Sequence, residues 1–137
     1  MSDTVNVCLV QSGNTASKGE ARNHTLIMDR SEAKGGENAG PMGGEVFLLA
    51  LGGCFMSNLR AAVAARDTKV ENIRLDIRGT LDGNPTRFSA AEIRISADYD
   101  DRAGMEKLVS IAKRGCIVGN TLKPAVDLSI SLTGETG

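Results

Sequence analysis

Two cysteines, Cys54 and Cys116, are the residues whose type and setting are best suited to chemistry in this chain. Cys54 follows two glycines in GGEVFLLALGGCF, and Cys116 follows one glycine in KRGCIVGNTL. A thiol is a nucleophile only when it is ionised, which a nearby cation or a helix N-terminus promotes. The sequence has one histidine, no phosphate-binding loop and no cluster with metal-ligand spacing. It therefore favours sulfur chemistry, with no metal and no cofactor.

Each cysteine also has a plainer interpretation. Free cysteine is among the most buried residue types, so Cys54 could simply pack inside a buried helix. The preceding Gly52 and Gly53 argue for more, because two glycines inside a helix cost about 2 kcal/mol relative to alanine and make room beside the next residue. For Cys116, a functional role and an incidental position are equally compatible with the sequence. Cys8 lies on a predicted strand and is expected to be structural.

Hydrophobic spacing outlines the helices that must position the two thiols. From about residue 45 to residue 66 no proline interrupts the chain, and the first turns are apolar on every side, which is typical of a buried helix. Cys54 would lie near its middle. A second helix is predicted over about 102–114 from an apolar stripe at helical spacing. Gly115 would end that helix in the left-handed conformation, so that Cys116 begins a loop where its thiol can be reached.

Alternating apolar and polar residues predict the strands. Residues 5–9 form a first strand, and HTLIMD forms a second extended segment after the turn-rich stretch QSGNTASKGEARN. Residues 31–44 are dense in glycine and polar residues, which indicates an irregular surface loop. Residues 73–81 and 93–99 predict an antiparallel hairpin around DGNPTR, and a final strand follows Pro124. This order predicts an α+β fold in which helices lie on one side of an antiparallel sheet.

The totals describe an ordinary globular chain of 137 residues, long enough for one domain over 1–137. A net charge of −1 and an aromatic content of 3% do not indicate binding to nucleic acid or to an anionic membrane. The longest apolar stretch, residues 46–51, is too short to span a bilayer, and no signal peptide is visible. A reducing cytoplasm is the expected compartment, where a disulfide is more often catalytic than structural.

Three segments together resemble the OsmC/Ohr family. They are GPMGGEVFLLALGGCF, the arginine-alternating hairpin, and RGCIVGNTL ahead of the final strand, and the resemblance runs from about the second strand to the end. It implies an OsmC-like fold and an intertwined homodimer with both active sites at the dimer interface. It also implies a cytoplasmic, thiol-dependent peroxidase that reduces organic hydroperoxides and belongs to the antioxidant response to oxidative stress.

The resemblance assigns roles to individual residues. Cys54 matches the peroxidatic cysteine and Cys116 the resolving one, with which it would form a disulfide. In the family an arginine activates the first thiol and a glutamate orients that arginine; Arg30 is the better candidate, Arg22 the second, and Glu45 the glutamate. A lipoyl or thioredoxin-like dithiol would reduce the disulfide. A pocket for the alkyl group is expected from apolar residues of the predicted helix: Phe47, Leu48, Leu51 and Phe55.

The chain departs from the family pattern at two places. The peroxidase branches carry a proline–glutamate pair with the glutamate ten residues before the first cysteine, whereas here Gly44 occupies that place and Glu45 follows it. One position turns a side chain by about 100° around a helix. Ile117 stands where proline often follows the second cysteine. These departures resemble the less characterised OsmC-like branch and leave a second function open, a non-catalytic dimer that binds a small apolar or thiol-reactive ligand.

Overall fold

The structure is a computed structural model that describes residues 2–135, except the side chains of residues 134 and 135. Backbone contacts divide the chain into two compact units, one up to Phe47 and one from Leu48 onward. The single domain expected from the chain length stays a prediction. The α+β class is confirmed, because each unit contains a three-stranded sheet and the second also contains helices.

The first unit is built on an antiparallel sheet of β1 (Cys8–Ser12), β2 (Ala16–Ala21) and β3 (His24–Met28), in that order. The predicted first strand is confirmed in part, since β1 begins only at Cys8, and β3 confirms the second extended segment HTLIMD. The prediction of a turn-rich connection was wrong where β2 lies. The segment ASKGEA has no apolar alternation, and only its pairing with both neighbours makes it a strand.

The stretch between β3 and the first long helix is irregular, as predicted, apart from a short 3-10 helix at Glu32–Lys34. The helix α1 covers Gly43–Ala65 and so begins two residues earlier than predicted. Cys54 lies near its middle, which confirms that expectation. By length and composition α1 is also apolar enough to cross a membrane, with a mean hydropathy of 1.6. A soluble protein's core helix passes the same test.

The second unit contains β4 (Val70–Asp82) and β5 (Arg87–Tyr99), which form the predicted antiparallel hairpin. The helices α2 (Arg102–Gly115) and α3 (Ile117–Leu122) follow, and β6 (Asp127–Glu135) completes the sheet in the order β4–β5–β6. β6 runs parallel to β5, so the prediction of a wholly antiparallel sheet was wrong. The two intervening helices form a crossover connection, which is what a parallel pair of strands requires.

One apolar core lies between the helices and this sheet. On β5 every second side chain is buried from Ala91 to Tyr99, so one face of the strand is covered and the other is only partly buried. Helix α1 contributes completely buried side chains four residues apart, and α2 contributes the stripe predicted from the sequence. The buried residues of the two helices are Leu51, Phe55, Leu59, Ala62, Met105, Leu108, Val109 and Ala112.

Candidate active site

Cys54 projects from the middle of α1 at a half-buried position beside the core. The two glycines before it differ in their surroundings. A Cβ at Gly52 would collide with the Cδ1 atom of Ile77 on β4, so this glycine lets the helix approach the sheet. A Cβ at Gly53 would meet no atom within 4 Å in the described part of the chain. Gly52 therefore serves packing, and Gly53 faces open space.

Cys116 lies between two helices and not at the start of a loop. Helix α2 continues through Gly115, whose φ is not positive, and α3 begins at Ile117. Cys116 has extended backbone angles, and its Sγ accepts a hydrogen bond from the N–H of Gly119 at 3.4 Å. The side chain is 0% exposed. The expectation of a reachable thiol was therefore wrong, because Cys116 serves as a buried N-cap of α3.

Cys54 packs against the core cluster that contains Cys116, the two thiols interact, and both are free. Burial raises the pKa of the Cys116 thiol, and the Gly119 N–H acts against burial. A hydrogen bond with Cys54 raises the same pKa further, as expected if Cys116 keeps its proton and donates it to the Cys54 sulfur. At neutral pH Cys116 consequently keeps its proton, and Cys54 is the more exposed of the two thiols.

Asn58, which the sequence analysis did not select, contacts the first thiol. It is half-buried one helical turn after Cys54, and its Nδ2 donates to the Cys54 carbonyl oxygen at 2.9 Å. The same nitrogen lies 4.0 Å from the Cys54 Sγ, a long hydrogen bond to sulfur. The signal in the sequence was a polar residue at i+4 from the cysteine, the spacing that brings side chains together on a helix.

Glu45 and Arg30 do not form an ion pair with each other in the residues that the structure describes. The Oε1 atom of Glu45 accepts a hydrogen bond from the Met42 N–H at 2.8 Å, at the N-terminus of α1. This contact satisfies a backbone donor that the helix leaves free, and its negative charge suits the helix dipole. Arg30 is exposed. Its predicted contact with Cys54 would join the two units and stays a prediction.

A buried carboxylate, also not selected from the sequence, organises the loop that contains Arg30. Asp29 is 5% exposed and accepts hydrogen bonds from the backbone N–H groups of Arg30, Glu37 and Ala39 at 2.7, 3.1 and 3.2 Å. Burial opposes ionisation of Asp29, but these bonds and one from Thr15 outweigh burial and lower its pKa. The loop backbone is therefore fixed by one ionised side chain.

The residues predicted to form an apolar pocket separate into two groups. Leu51 and Phe55 are 0% exposed and belong to the core of the second unit, so they line no open cavity. Leu48 is half-buried beside Gly79, and Phe47 is half-buried at the end of the first unit. A surface cavity of about 430 Å³ opens elsewhere on α1 and β4, and neither cysteine lines it.

Comparisons with solved structures establish the fold. An OsmC-like protein from Mycoplasma pneumoniae superposes with a TM-score of 0.83 at 13% identity, over 97% of this chain and 98% of that one. A hypothetical protein from Aquifex aeolicus gives a TM-score of 0.81 at 18% identity, over 99% and 100%. An organic hydroperoxide resistance protein, OsmC, from Legionella pneumophila gives 0.69 at 19% identity, over 96% and 98%.

The family is established by the sequence. No curated protein matches the chain. The family model described as OsmC-like protein matches residues 35–131, which is most of the chain and includes both Cys54 and Cys116. The architecture agrees with the OsmC-like fold that the resemblance implied. The chain therefore belongs to the OsmC-like protein family.

Proposed function

We propose that this protein is a thiol-dependent peroxidase that reduces organic hydroperoxides, with Cys54 as the peroxidatic cysteine and Cys116 as the resolving cysteine. The observation that carries the proposal is the proximity of these two thiols, which come from distant parts of the sequence: Cys54 packs against the core cluster that contains Cys116, and the two thiols interact. Family membership supports it. So do the names of similar structures from Legionella pneumophila and Bacillus subtilis, which are organic hydroperoxide resistance proteins.

The contact suits a reaction in three balanced steps. The Cys54 thiolate attacks the O–O bond of ROOH; a sulfenic acid forms on Cys54, and RO⁻ leaves and takes up a proton to become ROH. The Cys116 thiol then attacks the sulfenic sulfur, a disulfide forms, and the hydroxyl leaves as water. An external dithiol, of the lipoyl or thioredoxin type, reduces the disulfide by thiol–disulfide exchange and is itself oxidised.

The difference in burial supports this division of roles between the two cysteines. A peroxide must reach the attacking sulfur, and Cys54 is partly exposed whereas Cys116 is not exposed at all. The raised pKa of Cys116 also keeps its thiol protonated. A protonated thiol is disfavoured as the group that attacks the peroxide, but Cys116 can still react with the sulfenic acid once that has formed on Cys54. Once Cys54 is oxidised, the sulfenic acid is already beside the second thiol. The arrangement thus favours a disulfide over further oxidation.

The remaining residues of the proposed site take the roles that the family resemblance implies. Arg30 would activate Cys54, with Glu45 orienting it and Arg22 as the alternative arginine. Arg22 occupies the tight turn between β2 and β3 with φ of 55°. Phe47 and Leu48 are the pocket candidates that are not completely buried. We propose a cytoplasmic homodimer that completes this site.

The test is the reaction of the reduced protein with cumene hydroperoxide, followed by rapid acid quench and thiol titration. We expect the wild-type protein to lose two thiols much faster than free cysteine reacts. Cys54→Ser should abolish the fast reaction, and Cys116→Ser should lose one thiol and accumulate a sulfenic acid that dimedone traps. Cys8→Ser is the control and should react like the wild type. A wild-type rate no faster than free cysteine would refute the proposal.

One observation favours the second candidate function, a non-catalytic dimer that binds a small apolar or thiol-reactive ligand. The Glu45 carboxylate is engaged with the Met42 N–H at the start of α1, and Gly44 stands where the peroxidase branches of the family place that glutamate. A binding protein would protect Cys54 from alkylation when an apolar thiol-reactive probe is added, and would show no turnover with cumene hydroperoxide and dihydrolipoamide.

A further inference from the structure

Asn58 lies on α1, as Cys54 does, and its side chain also meets the end of α2 just before Cys116. Its amide nitrogen faces Cys54, with contacts to the carbonyl oxygen at 2.9 Å and to Sγ at 4.0 Å. Its amide oxygen faces the end of α2, where a Cβ built on Gly115 would lie 2.5 Å from Oδ1 and 3.3 Å from Cγ. Gly115 is the residue immediately before Cys116. One side chain thus touches the surroundings of both cysteines.

A purely local role explains only part of this arrangement. Asparagine inside a helix often bonds to the carbonyl oxygen four residues earlier, and the 2.9 Å contact is of that kind. A local bond does not require the approach to Sγ, nor a glycine at the end of another helix. Any side chain at position 115 would push the amide away from its present place. The close approach of α2 to Asn58 is therefore part of how Cys116 comes to lie beside Cys54.

We infer that Asn58 is a positioning residue for the thiol pair: its amide N–H orients and stabilises the Cys54 thiolate, and its packing against Gly115 holds Cys116 in reach. The inference rests on the proposed function, because it assigns Asn58 to the reaction of Cys54 with a hydroperoxide. The amide nitrogen can only donate a hydrogen bond, and a donor favours a thiolate over a thiol. A half-buried neutral donor does this without a charge of its own.

The first experiment measures alkylation of Cys54 by iodoacetamide at pH 7, read on the Cys54 peptide by mass spectrometry. Asn58→Ala should react about fivefold more slowly, the size of effect that one hydrogen bond produces. Asn58→Asp should be slower still, since a carboxylate cannot donate and repels the thiolate. Asn58→Gln keeps the amide and should recover part of the rate. The control Ser57→Ala, at the exposed neighbouring position, should react like the wild type.

A packing role predicts a different order. Aspartate has nearly the shape of asparagine, so Asn58→Asp would then react like the wild type and only Asn58→Ala would differ. That order would overturn the inference. The comparison is made on variants whose circular dichroism spectra match that of the wild type, and Asn58→Gln supplies the same contrast if Asn58→Asp does not fold.

The second experiment displaces the Asn58 amide by a substitution at Gly115 and leaves Asn58 itself unchanged. Gly115→Ala should slow both Cys54 alkylation and diamide-driven formation of the Cys54–Cys116 disulfide by about fivefold in the wild-type background, since it displaces the hydrogen-bonding amide. In the Asn58→Ala background the same change should have little further effect, because the colliding atoms are gone. Equal effects in both backgrounds would show that Gly115 acts independently of Asn58 and would refute the inference.

These measurements use no hydroperoxide, so they separate the inference from the proposed function. Slow peroxide reduction together with the predicted order of alkylation rates would refute the peroxidase and retain Asn58 as the residue that positions a reactive thiol. Fast peroxide reduction with unchanged alkylation rates in Asn58→Asp and Asn58→Ala would retain the peroxidase and refute the role of Asn58.

Discussion

The thiol of Cys116 combines complete burial with a hydrogen bond to another thiol, and this has a consequence for stability. Its pKa in the folded protein lies above the ordinary value of 9.0, so the folded state retains a proton that the unfolded chain would release. The associated stability is therefore fully present below pH 9 and is lost as the pH rises through the higher folded pKa. Cys116 therefore makes the stability of the folded protein fall at alkaline pH.

We predict that Cys116→Ser reduces this alkaline loss of stability. Serine does not ionise in this range, so the difference in unfolding midpoint between pH 7.5 and pH 10 should be smaller in the variant than in the wild type. Urea unfolding of the reduced proteins, followed by circular dichroism, measures it. The exposed Cys8 provides the control, and Cys8→Ser should retain the full wild-type difference. An undiminished difference in Cys116→Ser would contradict the assignment.

At the scale of elements, the approach of α1 to the sheet depends on one of two adjacent glycines. Gly52 faces Ile77 and has no room for a methyl group, whereas Gly53 faces open space in the described structure. We predict that Gly52→Ala lowers the free energy of unfolding by about 1–3 kcal/mol through overpacking. Gly53→Ala should not lower it, and helix propensity alone would raise it by about 1 kcal/mol.

Urea unfolding of the matched pair tests this prediction, and a second substitution locates the cause. Ile77→Val removes the Cδ1 atom that the new methyl group would strike, so it should restore part of the stability lost in Gly52→Ala. No restoration would mean that the loss arises elsewhere in the helix. A loss of stability in Gly53→Ala would show that another surface, such as a second protomer, packs on that face.

The conformation of the loop between β3 and α1 depends on the ionised Asp29. Because its pKa is lowered below the ordinary 3.8, its contribution is present above about pH 4 and is lost as the pH falls through the folded pKa. We predict that Asp29→Asn lowers the urea midpoint at pH 7 and that the difference from wild type shrinks by pH 3. Glu32→Gln, which changes an exposed carboxylate of the same loop, should leave the midpoint unchanged.

The elements that the sequence predicted are those with local signals. The proline-free apolar run indicated α1, the stripe from Met105 to Ala112 indicated α2, and the DGNPTR turn indicated the β4–β5 hairpin. Three of the wrong predictions depend on distant partners. β2 is a strand only through its two neighbours, β6 is parallel because of the crossover, and the burial of Cys116 results from packing of α3.

The residues of the candidate site also differ in whether the sequence alone could identify them. Cys54 and Cys116 were found from their glycine-rich settings and from the family resemblance, and the structure brings the two thiols together. Asn58 and Asp29 were missed because one polar residue in a helix or loop has no pattern of its own. Their importance is visible only from what they contact, the Cys54 sulfur in one case and three backbone N–H groups in the other.

At the scale of the whole molecule, the protomer exposes apolar side chains that a folded protein normally covers. The N-terminal segment presents Val5 and Val7 at 92% and 67% exposure, and Ile117, next to the buried Cys116, is 75% exposed. The association of two copies that we propose would cover such exposed apolar side chains.

We therefore predict that Val5→Lys combined with Val7→Lys weakens the dimer, because each lysine would carry a charge into an apolar contact. Sedimentation velocity over a range of concentrations should show a dimer for the wild type and a shift toward monomer for the double variant. Peroxide reduction should fall together with the dimer fraction if the site requires both protomers. The control Leu81→Lys alters a similarly exposed apolar residue near the β4–β5 turn and should leave the dimer intact. A wild-type protein that sediments as a monomer at all concentrations would contradict both the dimer and its role in the site.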